Sequence, residues 1–173
     1  MLKDVFVFFW GHTASENKIT KACLSQWYIA PFEIEGKKYV CAEQYMMEQK
    51  ALLFENFDIA QRIMQTTIPS EHKALGREIL GFTDEKWDMH KSEFVFNANF
   101  AKFSQNQPLK EFLLSTGGKI LVEASPYDCV WGVGLSANDK NVTNPSLWRG
   151  RNLLGVALMQ VREVLRCQDA FRK

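Results

Sequence analysis

The sequence predicts an α+β fold that is predominantly helical, a single compact domain over residues 1–173 with a few short strands. A length of 173 residues suits one domain. Hydrophobic residues make up 46% of the chain and charged residues 24%, which is typical of a globular protein and excludes disordered and fibrous classes. Helix-forming residues fill the longer segments, whereas the β-branched and aromatic runs are short.

Strands are predicted at three places. Residues 5–10 are β-branched and aromatic, and Gly11 ends the run. Residues 31–40 alternate around Glu35 and Gly36, a pattern typical of a hairpin. Residues 119–124 form the third predicted strand.

Helices are expected wherever Glu, Gln, Met, Lys, Ala and Leu dominate. Two of them carry start signals, with Ser70 after Pro69 and Thr83 before two acidic residues as the expected N-caps. Gly117 and Gly118 should end another. The predicted helices are 42–54, 56–66, 70–79, 83–103, 108–115 and 153–166.

Charge and composition exclude several kinds of function. The chain has 21 Lys and Arg against 20 Asp and Glu, so nothing favours sequence-independent binding of long nucleic acids. The 4 cysteines and 3 histidines are scattered, so we expect no metal and no cofactor. No apolar run approaches the ~20 residues of a membrane span. Without an export signal, a cytoplasmic location is expected.

Glu43 and Lys50 are the first candidates for chemistry. Two helical turns separate them, so both should project from nearly the same helix face, beside Met46 and Met47. A carboxylate and a partly desolvated amine can form an acid and a nucleophile. An ordinary ion pair on a solvated helix fits the same spacing.

The segment from Asp128 to Gly134 is the second candidate. Its Gly-x-Gly lacks the third glycine and the helix start of a dinucleotide-binding fingerprint. Trp131 could stack on a flat ring beside Gly132, with Asp128 as acid or base. A tight turn beneath an aromatic core residue explains the same residues.

The third candidate lies before the last predicted helix. Backbone amides at a helix N-terminus bind phosphate, and Arg149 and Arg151 could complete an anion site. The alternative is a solvated loop in which Asn152 caps the helix.

Read in order, these segments resemble the NADAR family, the YbiA-like N-glycosidases, over residues 6–166. Any one motif is weak, but the ordered set is specific. The matching stretches are 9–11, 24–28 with 31–32, 42–51, Trp87, 101–103, 113–117, 122–125, Asp128 with 131–134, and 150–155.

One departure from the family pattern is visible. The usual Leu-Ser-Asn-Phe is Leu-Ser-Gln-Trp here, at residues 24–27. Gln26 keeps an amide and Trp27 keeps an aromatic ring, so the change should alter the shape of the pocket more than its chemistry.

The resemblance implies cleavage of an N-glycosidic bond between ribose and a base. The substrates it implies are ribosylaminopyrimidine phosphates of early riboflavin synthesis or ADP-ribose attached to guanine. It also implies a lysine that forms a Schiff base with the opened sugar, which by motif position is Lys50. Glu43 or Asp128 would act as the acid or stabilise positive charge on the sugar. The expected substrate-binding residues are Trp10, Gly11, Ser25, Trp27, Trp87, Trp131, Gly132, Arg151 and Asn152.

A module that binds ADP-ribose or NAD without cleaving it is the rival interpretation. Both interpretations need the same aromatic and anion-binding walls. Glu43 and Lys50 together favour the enzyme, since a binding module needs neither an acid nor a nucleophile. The expected partner is a small nucleotide-like substrate or a modified base in nucleic acid, with no membrane involved.

Overall fold

The computed structural model describes residues 2–16 and 18–171, and it confirms the predominantly helical α+β class. Short 3-10 turns lie at Leu2–Val5, Lys21–Leu24 and Pro145–Leu147. The other elements are β1 Phe6–Phe9, β2 Phe32–Ile34, β3 Lys37–Tyr39, α1 Ala42–Leu53, α2 Phe57–Gln65, α3 Pro69–Leu75, α4 Asp84–Gln105, α5 Gln107–Ser115, β4 Ile120–Glu123 and α6 Leu153–Ala170.

The chain divides into two compact units. The central unit is Gln26–Asn106, and the terminal unit combines the residues before Gln26 with those after Asn106. The expectation of one domain over residues 1–173 stays a prediction.

In the central unit, α1 packs against α2, α3 and α4. Because neighbours cover it on several sides, α1 buries polar as well as apolar residues. The β2–β3 hairpin turns at Glu35 and Gly36, whose φ angles of 51° and 78° suit a tight two-residue turn. The core cluster of this unit comprises Phe32, Tyr39, Ala42, Tyr45, Ala98 and Ala101.

In the terminal unit, β1 and β4 pair in parallel, with Phe6 opposite Ile120 and Phe9 opposite Glu123. Parallel strands need a crossover connection, and here the connection includes the whole central unit. Helix α6 packs against β4. The core cluster beside these strands comprises Val122, Val133, Leu135 and Val142.

Helices α3 and α6 differ most from the predicted bounds. Helix α3 begins at Pro69 with Ile68 as its N-cap, so the prediction of a Ser70 N-cap is wrong. Proline suits the first helical position because its φ is already fixed there. The helix ends at Leu75 rather than 79, because the next turns tighten to i→i+3 bonds from Arg77 N–H and Glu78 N–H. Helix α6 continues to Ala170 instead of ending at 166.

Thr83 is confirmed as the N-cap of α4, since its hydroxyl accepts from the Lys86 N–H at 3.4 Å. The strand predicted at 5–10 is limited to Phe6–Phe9, which leaves Trp10 outside it. Within the described part of the chain, no helix is long and apolar enough to cross a membrane.

Candidate active site

Lys50 lies near the end of α1, half-buried among aromatic side chains. Its Nζ donates to the Gly76 carbonyl oxygen at 2.9 Å, directly after α3. The same nitrogen lies 4.3 Å from the ring centroid of Phe82 and 5.7 Å from that of Trp87. Lys50 therefore carries its amine among apolar faces, with a neutral carbonyl as hydrogen-bond acceptor.

These surroundings lower the pKa of Lys50. Burial is the main cause, since it penalises the charged ammonium. The negative charges of Glu43 and Asp84 act in the opposite direction and raise the pKa. The net lowering increases the fraction of neutral amine, which is the nucleophilic form.

Glu43 lies in the first turn of α1 and is only 4% exposed. Its backbone N–H donates to the Gln26 carbonyl at 3.0 Å, which anchors the start of the helix. Because its charge acts on the pKa of Lys50, the two groups are electrostatically coupled. The side chains of Met46 and Met47 are buried on the same helix.

The unusual Gln26 is a buried link between elements. Its Oε1 accepts from Asn99 Nδ2 on α4 at 2.7 Å, and its Nε2 contacts the Met46 sulfur at 3.8 Å. The amide that Gln26 keeps from the family motif thus links α1 to α4.

The two tryptophans predicted in the central unit have different environments. Trp87 is 8% exposed in the first turn of α4 and forms part of the apolar surroundings of Lys50. Trp27 is half-buried, and the Lys73 ammonium lies 5.8 Å from its ring centroid.

Asp128, in the terminal unit, organises its own loop. Its Oδ1 accepts from the backbone N–H groups of Val130 and Trp131, both at 2.8 Å. This side-chain turn positions the half-buried Trp131 ring.

The glycines after Asp128 allow backbone segments to pack against each other. A Cβ at Gly132 would lie 2.9 Å from the carbonyl oxygens of both Asp128 and Glu123. A Cβ at Gly150 would lie 2.7 Å from Cys129 Cα. These glycines therefore lie where backbone segments pack closely, as the tight-turn interpretation predicts.

The N-terminus of α6 is not available to phosphate in the way the sequence suggested. The N–H groups of Leu153 and Leu154 donate to the carbonyls of Val130 and Trp131, both at 3.2 Å. These amides already have acceptors, so that part of the expected anion site is wrong. The exposed Arg149 and Arg151 remain the groups that could meet an anion there.

Asn152 is buried and fixes the start of α6 to β4. Its Oδ1 accepts from the Glu123 N–H at 3.0 Å, and its Nδ2 donates to the Leu121 carbonyl at 2.9 Å. It occupies the N-cap position with a φ of 53°, but its side chain makes no capping bond. Its predicted role in phosphate binding stays a prediction.

Two exposed aromatic rings meet in the terminal unit. Trp10 is 58% exposed and Tyr127 is 86% exposed, with ring centroids 6.1 Å apart. Gly11 follows with a φ of 86°, which a glycine adopts without strain. Ser25, half-buried, ends the 3-10 turn Lys21–Leu24.

The sequence did not single out Gly76, Phe82 or Tyr127. Gly76 and Phe82 contact Lys50 from the segment between α3 and α4, far from it along the chain. The sequence offered only weak signals for them: Gly76 follows a predicted helix, and Phe82 and Tyr127 are aromatic residues close to acidic ones. Neither signal indicates a long-range contact. Among residues 2–16 and 18–171, no group of three His, Cys, Asp or Glu residues could hold a metal ion.

The structure gathers eight of the twelve predicted site residues into two sets, and Trp10, Gly11, Ser25 and Trp27 lie outside both. Glu43, Lys50 and Trp87 belong to α1 and the start of α4 in the central unit. Asp128, Trp131, Gly132, Arg151 and Asn152 belong to two hydrogen-bonded segments of the terminal unit.

Comparison with known proteins defines the class. The family model described as the NADAR domain matches residues 8–166, and the chain belongs to this family. The solved NMR structure of the E. coli protein YbiA has the same fold, with a TM-score of 0.78 and 24% identity over 96% of this chain and 88% of YbiA.

Two curated relatives give more particular similarities. The N-glycosidase R617 of Acanthamoeba polyphaga mimivirus is 42% identical over 168 residues, which cover 94% of this chain and 98% of that protein. The chloroplastic riboflavin biosynthesis protein PYRR of Arabidopsis thaliana is 36% identical over 110 residues, 61% of this chain but 16% of that protein.

Proposed function

We propose that this protein hydrolyses the N-glycosidic bond between a ribose carbon and a nitrogen base, with Lys50 as the nucleophile. The observation that carries the proposal is the environment of Lys50. It is a half-buried amine with a lowered pKa, surrounded by aromatic rings and coupled to the buried Glu43.

The class of reaction has independent support. Relatives from a giant virus and a cyanobacterium are named N-glycosidases, and the first is similar over nearly its whole length. The chain is an enzyme, a hydrolase acting on N-glycosyl bonds.

The proposed chemistry begins with attack of the neutral Lys50 amine on the anomeric carbon. The bond from that carbon to the base breaks, and the leaving nitrogen takes a proton. The ribose ring then opens: the bond from the anomeric carbon to the ring oxygen breaks, the ring oxygen takes the remaining proton of the Lys50 nitrogen, and an imine forms between Lys50 and the sugar. Water then hydrolyses the imine, which releases the sugar and restores the amine.

Glu43 is the better candidate for the proton donor. Its carboxylate is buried and its negative charge acts on Lys50, so it could take the proton that the attacking amine loses and pass it to the leaving base. One oxygen of Asp128 is already held by two backbone amides, which supports a role in ordering the loop around Trp131. A carboxylic acid positioned at a leaving group contributes ~10²–10⁴-fold to a rate.

Two substrates fit this chemistry. Similarity to a riboflavin biosynthesis protein supports a ribosylaminopyrimidine phosphate. ADP-ribose attached to guanine would use a lysine nucleophile in the way that the family resemblance implies. Both contain a ribose joined to nitrogen, and both are small nucleotide-like molecules.

The test is to identify the sugar released from each substrate by mass spectrometry. Ribose phosphate from the pyrimidine or ADP-ribose from the guanosine would support the proposal and assign the substrate. Lys50→Ala should abolish release without unfolding the protein. Lys86→Ala is the matched control, since Lys86 Nζ lies 5.2 Å from the Phe54 ring centroid in the same aromatic neighbourhood.

Two results would contradict the proposal. Full activity in folded Lys50→Ala would exclude the covalent mechanism. Release from neither substrate, together with tight binding of ADP-ribose, would instead support the binding module.

A further inference from the structure

The segment 76–83, between α3 and α4, supplies two of the groups that contact Lys50. Its first residue, Gly76, gives the carbonyl that accepts from Nζ, and Phe82 near its end gives the closest aromatic face. The segment has no regular helix or strand of its own. The surroundings of Lys50 therefore depend on what holds this segment in place.

The side-chain amide of Asn56 forms hydrogen bonds to the middle of the segment through both its oxygen and its nitrogen. Its Oδ1 accepts from the Leu80 N–H at 2.9 Å, and its Nδ2 donates to the Leu80 carbonyl at 3.0 Å. The same Nδ2 donates to the Phe54 carbonyl at 2.6 Å, at the end of the helix that carries Lys50. One side chain thus links the segment to the end of α1.

Asn56 is itself firmly held. It is 9% exposed, its N–H donates to the Ala51 carbonyl at 2.8 Å, and its carbonyl accepts from the Ala60 N–H at 3.0 Å. It occupies the N-cap of α2 but makes no capping bond with its side chain. The amide is used for the segment 76–83 instead of for the helix.

Other contacts of the segment are less directional. The Leu80 side chain is 76% exposed and adds little packing, whereas Ile79 is buried. Burial of Ile79 favours proximity, but apolar contact does not fix orientation. The Arg62–Glu78 ion pair is about half exposed on both sides, and solvent-exposed pairs of this kind contribute little to stability.

We propose that Asn56 is a positioning residue for Lys50, because its amide holds segment 76–83 so that the Gly76 carbonyl and the Phe82 ring cover the amine. The inference rests on the proposed function of Lys50 as nucleophile. Nothing in the sequence around Asn56 indicates this role, which depends on hydrogen bonds across 24 positions of the chain.

The expected consequence is a change in the titration of Lys50. Burial is the main influence that lowers its pKa, so a loosened segment should let water reach the amine and raise the pKa. Loss of the contacts with the Gly76 carbonyl and the aromatic faces would by itself lower the pKa, because both contacts favour the charged ammonium. These losses are small, because water replaces the carbonyl as acceptor and a cation–π contact is weak once it is exposed to solvent.

The two charged groups that act on the pKa of Lys50, Glu43 and Asp84, lie outside segment 76–83. Glu43 belongs to α1 and Asp84 to the start of α4. On α3, Glu71 bonds to Thr66 and the Lys73 ammonium lies near Trp27, while Arg62 on α2 pairs with Glu78. The Lys86 ammonium lies over Phe54.

The test measures the pH midpoint for labelling of Lys50 by acetic anhydride, read by peptide mass spectrometry. The midpoint reports the pKa of the amine, whereas accessibility changes the overall rate. The first variant is Asn56→Ser, since serine is a good N-cap and should preserve α2. Asn56→Ala is the second variant, and thermal unfolding confirms that each is folded.

The matched control is Asn106→Ala. Asn106 lies in the same unit, and its Nδ2 also donates to two backbone carbonyls, those of Pro31 at 3.0 Å and Lys102 at 2.8 Å. Its removal should leave the Lys50 midpoint unchanged. Both Asn56 variants should raise it by roughly half a pH unit, an approximately threefold smaller neutral fraction well below the midpoint.

An unchanged midpoint in a folded Asn56 variant would overturn the inference, even if activity fell. Hydrogen exchange on the unmodified protein gives a test that needs no variant. The Leu80 amide should be protected because Asn56 accepts from it; exchange at the rate of an open loop would overturn the inference too. A shifted midpoint with full activity in Lys50→Ala would preserve the positioning role and reject the nucleophile.

Discussion

The central and terminal units use their polar side chains differently. In the central unit, the Lys50 amine is half-buried against aromatic rings and has a neutral carbonyl as acceptor. In the terminal unit, Asp128 and Asn152 bind backbone groups of their own neighbourhood. Both sets came from the same family motifs, but only the first carries the signs of a reactive group.

The difference shows how to separate chemistry from architecture in such a motif. The hydrogen bonds of Asp128 and Asn152 hold adjoining backbone segments together, which is a structural use of a polar side chain. A charged side chain kept partly desolvated has a shifted pKa, which a purely structural role does not need. The following predictions test that distinction, beginning with the largest expected effect.

Replacing the buried carboxyl of Glu43, whose charge acts on Lys50, should affect the rate far more than substrate binding. We expect Glu43→Gln to lower kcat by ~10²–10⁴-fold, because the amide cannot donate a proton as the acid does. Steady-state kinetics and substrate titration measure the two effects separately.

Glu48→Gln is the control for this prediction. Glu48 is also buried on α1, but its carboxylate accepts from Tyr39 at 2.6 Å and from Lys37 at 2.8 Å. Its loss should reduce stability and leave kcat nearly unchanged. Equal losses of rate and binding in Glu43→Gln would make Glu43 a structural residue.

A Cβ in the glycine segment of the terminal unit should reduce stability. We expect Gly132→Ala to lower the free energy of unfolding by ~1–3 kcal/mol, because two backbone oxygens would lie within 2.9 Å of the new carbon. Urea unfolding measures this change. In Gly118→Ala, where nothing lies within 4 Å, the effect should be small, and similar effects in both would contradict the packing role.

Removing one ring of the exposed Trp10–Tyr127 pair should have the smallest effect of these changes. If the Trp10–Tyr127 surface stacks on the base, Tyr127→Ala should raise KM by roughly fivefold and leave kcat unchanged, since stacking is worth ~1–3 kcal/mol per base. Phe171→Ala, which removes a ring that is 91% exposed, is the control. An unchanged KM in Tyr127→Ala would remove this surface from substrate binding.

Local patterns predicted most of the fold. The helix-forming run 42–54, the Thr83 N-cap and the Glu35-Gly36 turn each depend on nearby residues, and the structure confirms all three. Ser70 failed as an N-cap because Pro69 is already suited to the first helical position. Such competition between neighbouring signals is hard to resolve from a single sequence.

The candidate site was less predictable because long-range contacts define it. Spacing suggested Glu43 and Lys50, and family resemblance gave the proposed role of Lys50. Neither could indicate that Phe82 covers the amine or that Asn56 holds Leu80. The N–H groups of the first two residues of α6 illustrate the same limit, since their acceptors, the carbonyls of Val130 and Trp131, come from another segment.

Covalent trapping tests the central claim most directly. The protein would be incubated with each substrate and sodium borohydride, which reduces an imine to a stable amine. Peptide mass spectrometry should then find the sugar attached to Lys50, and Lys50→Ala should carry no adduct. Rapid turnover by the unmodified protein with no sugar on Lys50, or with the sugar on another lysine, would contradict the account.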